Sequence, residues 1–507
     1  MRNQNYILLV VFLFVSCTHK HEKPPVVLVA TTEKISLSVS EIIQDQLEQY
    51  LIDSLLIIDD DTLQTSQWIY NMFAQNDFLP LWSNEQKLNV DGLQMLNTID
   101  SASFYGLIPD DYRNDILKQK ILSVYDSTLQ KINATTLYEI NILLTDAYFN
   151  MAVHIRKGKL DADSLTPVWK GFGSDSLMHY TLNDAMEKHN IKASLDSLEP
   201  KLYAYKMIKN QLDSLIKLSH PIMPDTLEVI KNDTINIDSI NEVRIQQVMI
   251  NMERYRWEKP RTEKSHLDIN IPSYTLKFYD NDTLVFESRV IIGKYDTQTP
   301  WRLNSKITHF YIYPYWNVPY SIATKEILPK LKKDTNYLAK HKMDVLNSKG
   351  EILNPSKIKW KKYSEKHFPY KIRQRDGDDN TLGILKFIFS NKYSVYLHDT
   401  STPSLFKKSK RALSHGCIRL EKTKQLAEYL VTNERTVNFN IDSLNENIKN
   451  KQRKKVDLVQ PLPIHIRYYT CEADSTGIKF YNDIYKLDKK MMDNFFIRKK
   501  FEALVQN

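Results

Sequence analysis

Glycine and cysteine are scarce in this chain, with 11 and three in 507 residues. So few glycines exclude the glycine-rich loops that close backbone amides around a phosphate. Three cysteines exclude a disulfide-built scaffold, and no Cys or His spacing matches a zinc signature. Past the first residues no apolar run is long enough to cross a bilayer core of about 30 Å, which takes about 20 residues. No nucleic-acid-binding motif is present. The net charge of +8 is mild for this length and fits a solvated surface as well as a weak attraction for an anionic polymer. What is plentiful is apolar and aromatic material, 42% hydrophobic with 29 tyrosines, as packed globular domains require. About 490 residues beyond the leader exceed one core and suggest two or three domains.

The N-terminus addresses the protein to a compartment. Arg2 is followed by the apolar run Tyr6–Val15, the core of a signal peptide over 1–16. Phe14-Val15-Ser16-Cys17 resembles the lipobox of bacterial lipoproteins, in which the cysteine is lipidated and becomes the new N-terminus. On that reading residues 17–37 are a lipidated tether, and the protein is periplasmic and membrane-anchored, at the outer membrane. A plain secretory signal cut nearby is the alternative.

Periodicity divides the rest. Over 38–215 apolar residues recur at helical steps: Ile42, Ile43, Leu47, Leu51, Leu55 and Leu56, and again Leu143, Leu144, Ala147 and Met151, with Gly158 as a stop. Residues 216–262 lose the pattern over most of their length and predict a connector, partly extended. From 263 to 490 the period becomes two, with Asp280-Asn281-Asp282 marking a hairpin turn. A Lys-rich stretch, 324–378, interrupts the strands as an inserted lid. The basic run 449–455 predicts a solvated loop, and 491–507 a tail. The expected fold class is therefore α+β and multidomain: a helical N-terminal domain, then a mainly β, sandwich-like domain carrying an insertion. No repeat is visible, and the oligomeric state is not legible.

The chemistry concentrates at Cys417, in the stretch RALSHGCIRL. A thiol of ordinary pKa, about 8.5, is only a few per cent thiolate at neutral pH, so a nucleophilic cysteine needs a base or cation beside it. His415 is two residues away, and His398 lies upstream in YSVYLHDT. Tyr396 and His398, two apart on a strand, share one face. Gly416 permits close backbone approach and offers, with Cys417, an N–H to a developing oxyanion. A following helix, with Leu426, Ala427, Leu430 and Val431 on one face, would favour the thiolate if its N-terminus met Cys417. Other readings stand beside this one: a disulfide with Cys471, or a zinc site from His398, His415 and Cys417. Arg419 suits a salt bridge as well as a substrate carboxylate. Trp316 suits core packing as well as a groove wall, and Tyr396 alone would suit the core.

The H…SHGC spacing resembles the signature of the L,D-transpeptidases, whose catalytic module is the YkuD domain. VMINMERYRW (248–257), RVIIGKYDTQTP (289–300), YPYWNVPYSIA (313–323) and YNDIY (481–485) are similar to the large, multidomain branch of that family. NDFLPLW (76–82) and YGLIPDDY (105–112) resemble its scaffold domain. The resemblance implies a Cys417 nucleophile and a His398 base, oriented by the backbone carbonyl of Asp399. Tyr396 and the Gly416 and Cys417 amides would form the oxyanion site; Ser414 and His415 would shape the pocket, and Arg419 would hold a carboxylate. The implied partners are peptidoglycan stem peptides, a donor tetrapeptide and an acceptor amine, joined as 3→3 cross-links, with the lipid holding the membrane. The implied enzyme needs neither metal nor cofactor and is acylated by carbapenems. The same thiol would also serve an L,D-carboxypeptidase or endopeptidase, or attachment of a protein to peptidoglycan; a non-catalytic wall anchor is the reading from another class. The peptidoglycan-binding module common in that branch has no counterpart here.

Overall fold

Ser38 opens the first helix, Val39–Asp53, by capping Glu41, whose carboxylate reaches back to close a capping box. The computed structural model describes residues 37–125, 133–167, 176–219 and 237–496. The leader, Cys17, most of the tether and residues 497–507 of the expected tail lie outside the described residues, as does 220–236. On the first helix Ile43, Leu47 and Tyr50 are buried, whereas Leu51 and Leu55 are exposed. The 3.6-residue period favours Tyr50 over its neighbour, and Ser54, in the left-handed region, ends the helix before Leu55.

The helical domain is built around Ala134–Lys157, which buries Leu143, Leu144, Ala147 and Met151 and stops at Gly158. Two parts of the expected domain plan are corrected. Residues 237–256, expected in the connector, form the helix Ile237–Arg256, with Val248, Ile250 and Met252 in the helical core. It packs against Tyr203–Ser219 on one side and Leu487–Phe495 on another. Its apolar residues therefore do not fall on one stripe, which is why periodicity missed it. The second correction is at the C-terminus. The hairpin Cys471–Asp474/Gly477–Phe480 and the helix Leu487–Phe495 return to the helical domain, burying Cys471, Met491 and Phe495 in its core. Lys159 donates to the Phe495 carbonyl at 2.6 Å. Residues 491–496 are thus no tail, and alternation alone cannot say which core a strand serves.

The β domain holds one nine-stranded sheet. Its strands are β1 His266–Asn270, β2 Thr275–Asp280, β3 Thr283–Gly293, β4 Leu303–Ile312, β5 Leu385–Phe389, β6 Leu397–His398, β7 Ala412–Ser414, β8 Ile418–Leu420 and β9 Lys454–Arg467. The order is β7-β3-β8-β6-β5-β4-β9-β1-β2, and β2 pairs again with β3, so the sheet closes on itself and leaves few open edges. The β2–β3 turn has Asn281 and Asp282 at φ 47° and 60°, the conformation that tight hairpins favour. Leu397, Phe387, Phe310 and Val456 sit opposite one another across β6, β5, β4 and β9, and all are buried. The alternate residues face outward.

The insertion begins at Trp316, earlier than expected. Trp316–Asn317, Met343–Leu346, Ile352–Leu353 and Lys371–Gln374 form a second, four-stranded sheet with a separate core of Leu331, Val345, Trp360 and Ile372. The basic run 449–455 is not a loop throughout: Lys449 ends the helix Ile441–Lys449, and Lys454 and Lys455 open β9.

Because Phe495 is wholly buried in the helical core, Phe495→Ala should cost about 3–5 kcal/mol in denaturant unfolding. A loss within about 0.5 kcal/mol, as for a surface position, would show the segment to be a free tail.

Candidate active site

The parallel pairing of β6 with β8 assembles the site. Leu397 lies opposite Ile418, both in the core, and His398 opposite Arg419. The Ile418 N–H donates to the Tyr396 carbonyl at 3.1 Å. Tyr396, His398, Cys417 and Arg419 therefore share the outward face, with Cys417 beside Tyr396 and diagonal to His398. Cross-strand diagonals of about 7–8 Å are within reach of ring side chains. The Tyr396 and His398 rings are 5.6 Å apart.

The loop before β8 is clamped from below. The Ser414 hydroxyl donates to the Cys417 carbonyl at 2.6 Å and accepts the Gly416 N–H at 3.1 Å. This corrects the expectation for Gly416: its amide is spent inside the loop and is not offered to an oxyanion. Its glycine is still needed, for φ is +109°. The Thr299 hydroxyl donates to the Gly416 carbonyl at 2.8 Å and accepts from the Gly293 N–H. The Tyr485 hydroxyl takes the Thr299 N–H at 3.1 Å and donates to the Gly293 carbonyl at 2.8 Å. At Gly293 a side chain would collide with the Thr297 carbonyl.

Each ring and charge has a stated neighbour. His398 is 3% exposed, and its Nδ1 lies 2.6 Å from the Asp399 carbonyl, which can only accept; Nδ1 therefore carries the proton, and Nε2 is the unprotonated ring nitrogen. Burial, then Arg419, pushes the imidazole down to about 3, against the opposing pull of the Asp399 and Leu382 carbonyls. The Asp399 carboxylate is raised by burial and takes the Ile384 N–H at 3.0 Å. The Trp316 side chain hydrogen-bonds Tyr396, which is itself hydrogen-bonded to Cys417 and whose phenol burial holds protonated. Burial also raises the Cys417 thiol, opposed by hydrogen bonds from the Tyr396 backbone and side chain and by the charges of Lys386 and Arg419. The sulfur lies 3.9 Å from the Ser394 carbonyl. At rest the pair is thus a neutral thiol and a neutral imidazole.

The other expected residues fall around this set. Arg419 has a buried Nε with no hydrogen-bond partner among the described residues, and burial lowers its pKa, while Cys417 opposes that shift. His415 is exposed and pairs with Glu326 of the insertion at 2.6 Å. Cys417 and Cys471 are both free, in different domains. Among the described residues no group of three or more His, Cys, Asp or Glu is placed to hold a metal. The helix after the motif, Thr423–Thr432, starts beyond β8, so its N-terminus does not meet Cys417. Sequence reasoning missed Lys386, Thr299 and Tyr485. The last two lie within TQTP and YNDIY, stretches already marked as similar to the transpeptidases. Lys386 carried only the alternation of β5 as a signal.

A clamped thiol beside a buried, proton-accepting imidazole defines the class: a candidate cysteine enzyme. Residues 264–438 match the YkuD family, described as the L,D-transpeptidase catalytic domain, and residues 67–212 match the family described as the Scaffold domain. The chain thus carries a scaffold domain followed by a YkuD domain of the type described as the L,D-transpeptidase catalytic domain. A Haemophilus influenzae protein named "Putative L,D-transpeptidase" is 34% identical over 223 residues, 44% of each chain. The chain thus spans less than half the length of that curated relative. A solved chain described as "Structure of the Ldtfm-avibactam carbamoyl enzyme" overlaps 43% of this chain and 75% of its own at 13% identity and a TM-score of 0.15, too slight a likeness to bear on this protein.

The raised thiol and the depressed imidazole set a pH dependence. Thiolate forms only above the ordinary cysteine range, so Cys417 alkylation by iodoacetamide should keep accelerating beyond about pH 8.5, with no inflection between about pH 5 and 7. A rate already level at neutral pH would reveal a preformed thiolate–imidazolium pair and contradict this electrostatic picture.

Proposed function

We propose that this protein is a peptidoglycan L,D-transpeptidase that forms 3→3 cross-links through a Cys417 thioester. The observation that carries the proposal is the β6–β8 register, which sets nucleophile, base, hydroxyl donor and cation on one face. As substrate enters, Cys417 turns from Ser394, and His398 Nε2 takes its proton while the sulfur bonds to the carbonyl carbon of the L-centre of meso-diaminopimelate in the donor. The Tyr396 hydroxyl and the Cys417 amide stabilise the oxyanion. Arg419, which has no ion-pair partner among the described residues, holds a carboxylate on the substrate. Collapse breaks the C–N bond, and His398 returns the proton to the departing D-alanine amine. The side-chain amine of a second stem then attacks the thioester, its proton passes to His398, and the thiol is restored. Cys417, His398, Tyr396 and Arg419 take the roles that the family resemblance implies, whereas the Gly416 amide, held by Ser414, does not.

The neutral resting pair suits this sequence. A proton moved only when substrate is seated avoids an exposed thiolate in an oxidising compartment. We place the protein in the periplasm on a Cys17 lipid, probed by whether Cys17→Ser moves it from the membrane to the soluble fraction.

Incubated with tetrapeptide and an acceptor amine, the wild type should yield cross-linked product and free D-alanine, and Cys417→Ala should lose at least about 10³-fold of that activity. Mass spectrometry separates the outcomes. Tripeptide alone would make the enzyme a carboxypeptidase. Product undiminished in Cys417→Ala would remove the thiol from the reaction.

A further inference from the structure

Next to the catalytic face, sharing Lys386 with it, lies a cleft of about 490 Å³ that the reaction above leaves unused. Its walls come from β4, β5, the edge of the insertion and the approach to β9, and include Tyr311, Tyr315, Arg373, Lys386 and Arg453. The sheet register places it on the same outward face as the catalytic set. Arg419, His398, Lys386 and Tyr311 stand in one cross-strand row over β8, β6, β5 and β4. With strands about 4.8 Å apart, Tyr311 is about 10 Å from His398, on the side opposite Arg419.

The lining is cationic and aromatic. The Arg373 and Arg453 guanidiniums each lie 4.7 Å from the centre of the Tyr315 ring, and Arg453 lies 5.4 Å from that of Tyr311. Lys386 rests 3.9 Å over the Tyr396 ring and belongs to the cleft and the catalytic face at once. No Asp or Glu lines the cleft. Of the nearby carboxylates, Asp344 pairs with Arg375 at 2.7 Å and, more loosely, with Arg373 itself at 3.4 Å, and Asp457 pairs with Lys455 at 2.6 Å. The Arg373 Nε is buried with no hydrogen-bond partner among the described residues. Three cations, two guanidiniums lying over tyrosine rings and the partly buried Lys386, form a ready receptor for carboxylates, which guanidinium forks bind in pairs.

We propose that this cleft is the carboxylate subsite of the second peptide, the one whose amine resolves the thioester. The proposal rests on the transpeptidase reading and adds a geometry to it. The donor's carboxylate lies on the Arg419 side of the thiol, and the acceptor's lie across the Lys386 row. An extended stem covers about 10 Å in three residues, so a peptide seated there brings its amine to Cys417.

The test uses the full chain with Cys417→Ala and a stem tripeptide, which lacks the D-alanine that a donor releases. Calorimetry should show binding weakened about tenfold by Arg453→Gln and about tenfold by converting the peptide's carboxylates to amides. The two changes together should cost no more than either alone. On the otherwise native enzyme, Arg453→Gln should leave thioester formation from a tetrapeptide donor unchanged and raise the acceptor concentration needed for half-maximal transfer about tenfold. Tripeptide binding indifferent to Arg453→Gln overturns the subsite, with the transpeptidase reading intact if the native thioester still forms. Binding that depends on Arg453 but not on the carboxylates also overturns it, as a phosphate or nucleic-acid site would behave. Peptide binding as described without any thioester from any donor leaves the subsite standing and removes the transpeptidase reading instead.

Discussion

The site depends on a pairing of very few residues, β6 against β8 in parallel. Parallel ladders are slightly weaker per residue than antiparallel ones, and so short a ladder has little stability of its own. Its order is borrowed. Sheet closure through β2 and β3 removes the free edge that would let β8 slip, and a one-residue slip would turn Cys417 and Arg419 into the core and Ile418 out of it. The Thr299 and Tyr485 hydroxyls then fix the loop before β8 to the end of β3.

That clamp ties catalysis to the helical domain. The Tyr485 N–H donates to the Tyr468 hydroxyl at 2.7 Å, the two rings stack at 5.6 Å, and the Arg254 guanidinium lies 5.3 Å from the Tyr468 ring. Arg254 is also paired with Asp488 at 2.6 Å, both nearly buried. Removing one member of such a pair strands a charge in a dry interior, which is strongly unfavourable. The C-terminal segment thus serves both cores, closing the helical domain with Phe495 and holding the thiol loop with Tyr485.

Much of this was legible in the sequence where a local rule governs. Gly158 marks a helix end, Asn281 and Asp282 mark a hairpin, and Tyr396 with His398 mark a shared strand face. Properties set by distant partners were not legible. Nothing near Ile237–Arg256 shows that it is wrapped on several sides. Nothing near Gly416 shows that Ser414 takes its amide, and only the register of β4, β5 and β6 brings Lys386 between the thiol and a basic cleft. Cys17 remains a reading of the sequence alone.

The account turns on His398 as a neutral imidazole with its proton on Nδ1 and Nε2 free to receive another. Nitrogen-15 NMR of the imidazole tests this most directly. The expected spectrum at neutral pH is that of the Nδ1–H tautomer, with protonation only far below the ordinary histidine range, near the value of about 3 that its burial sets. An imidazolium at neutral pH, or the Nε2–H tautomer, would contradict the assignment of His398 as the base.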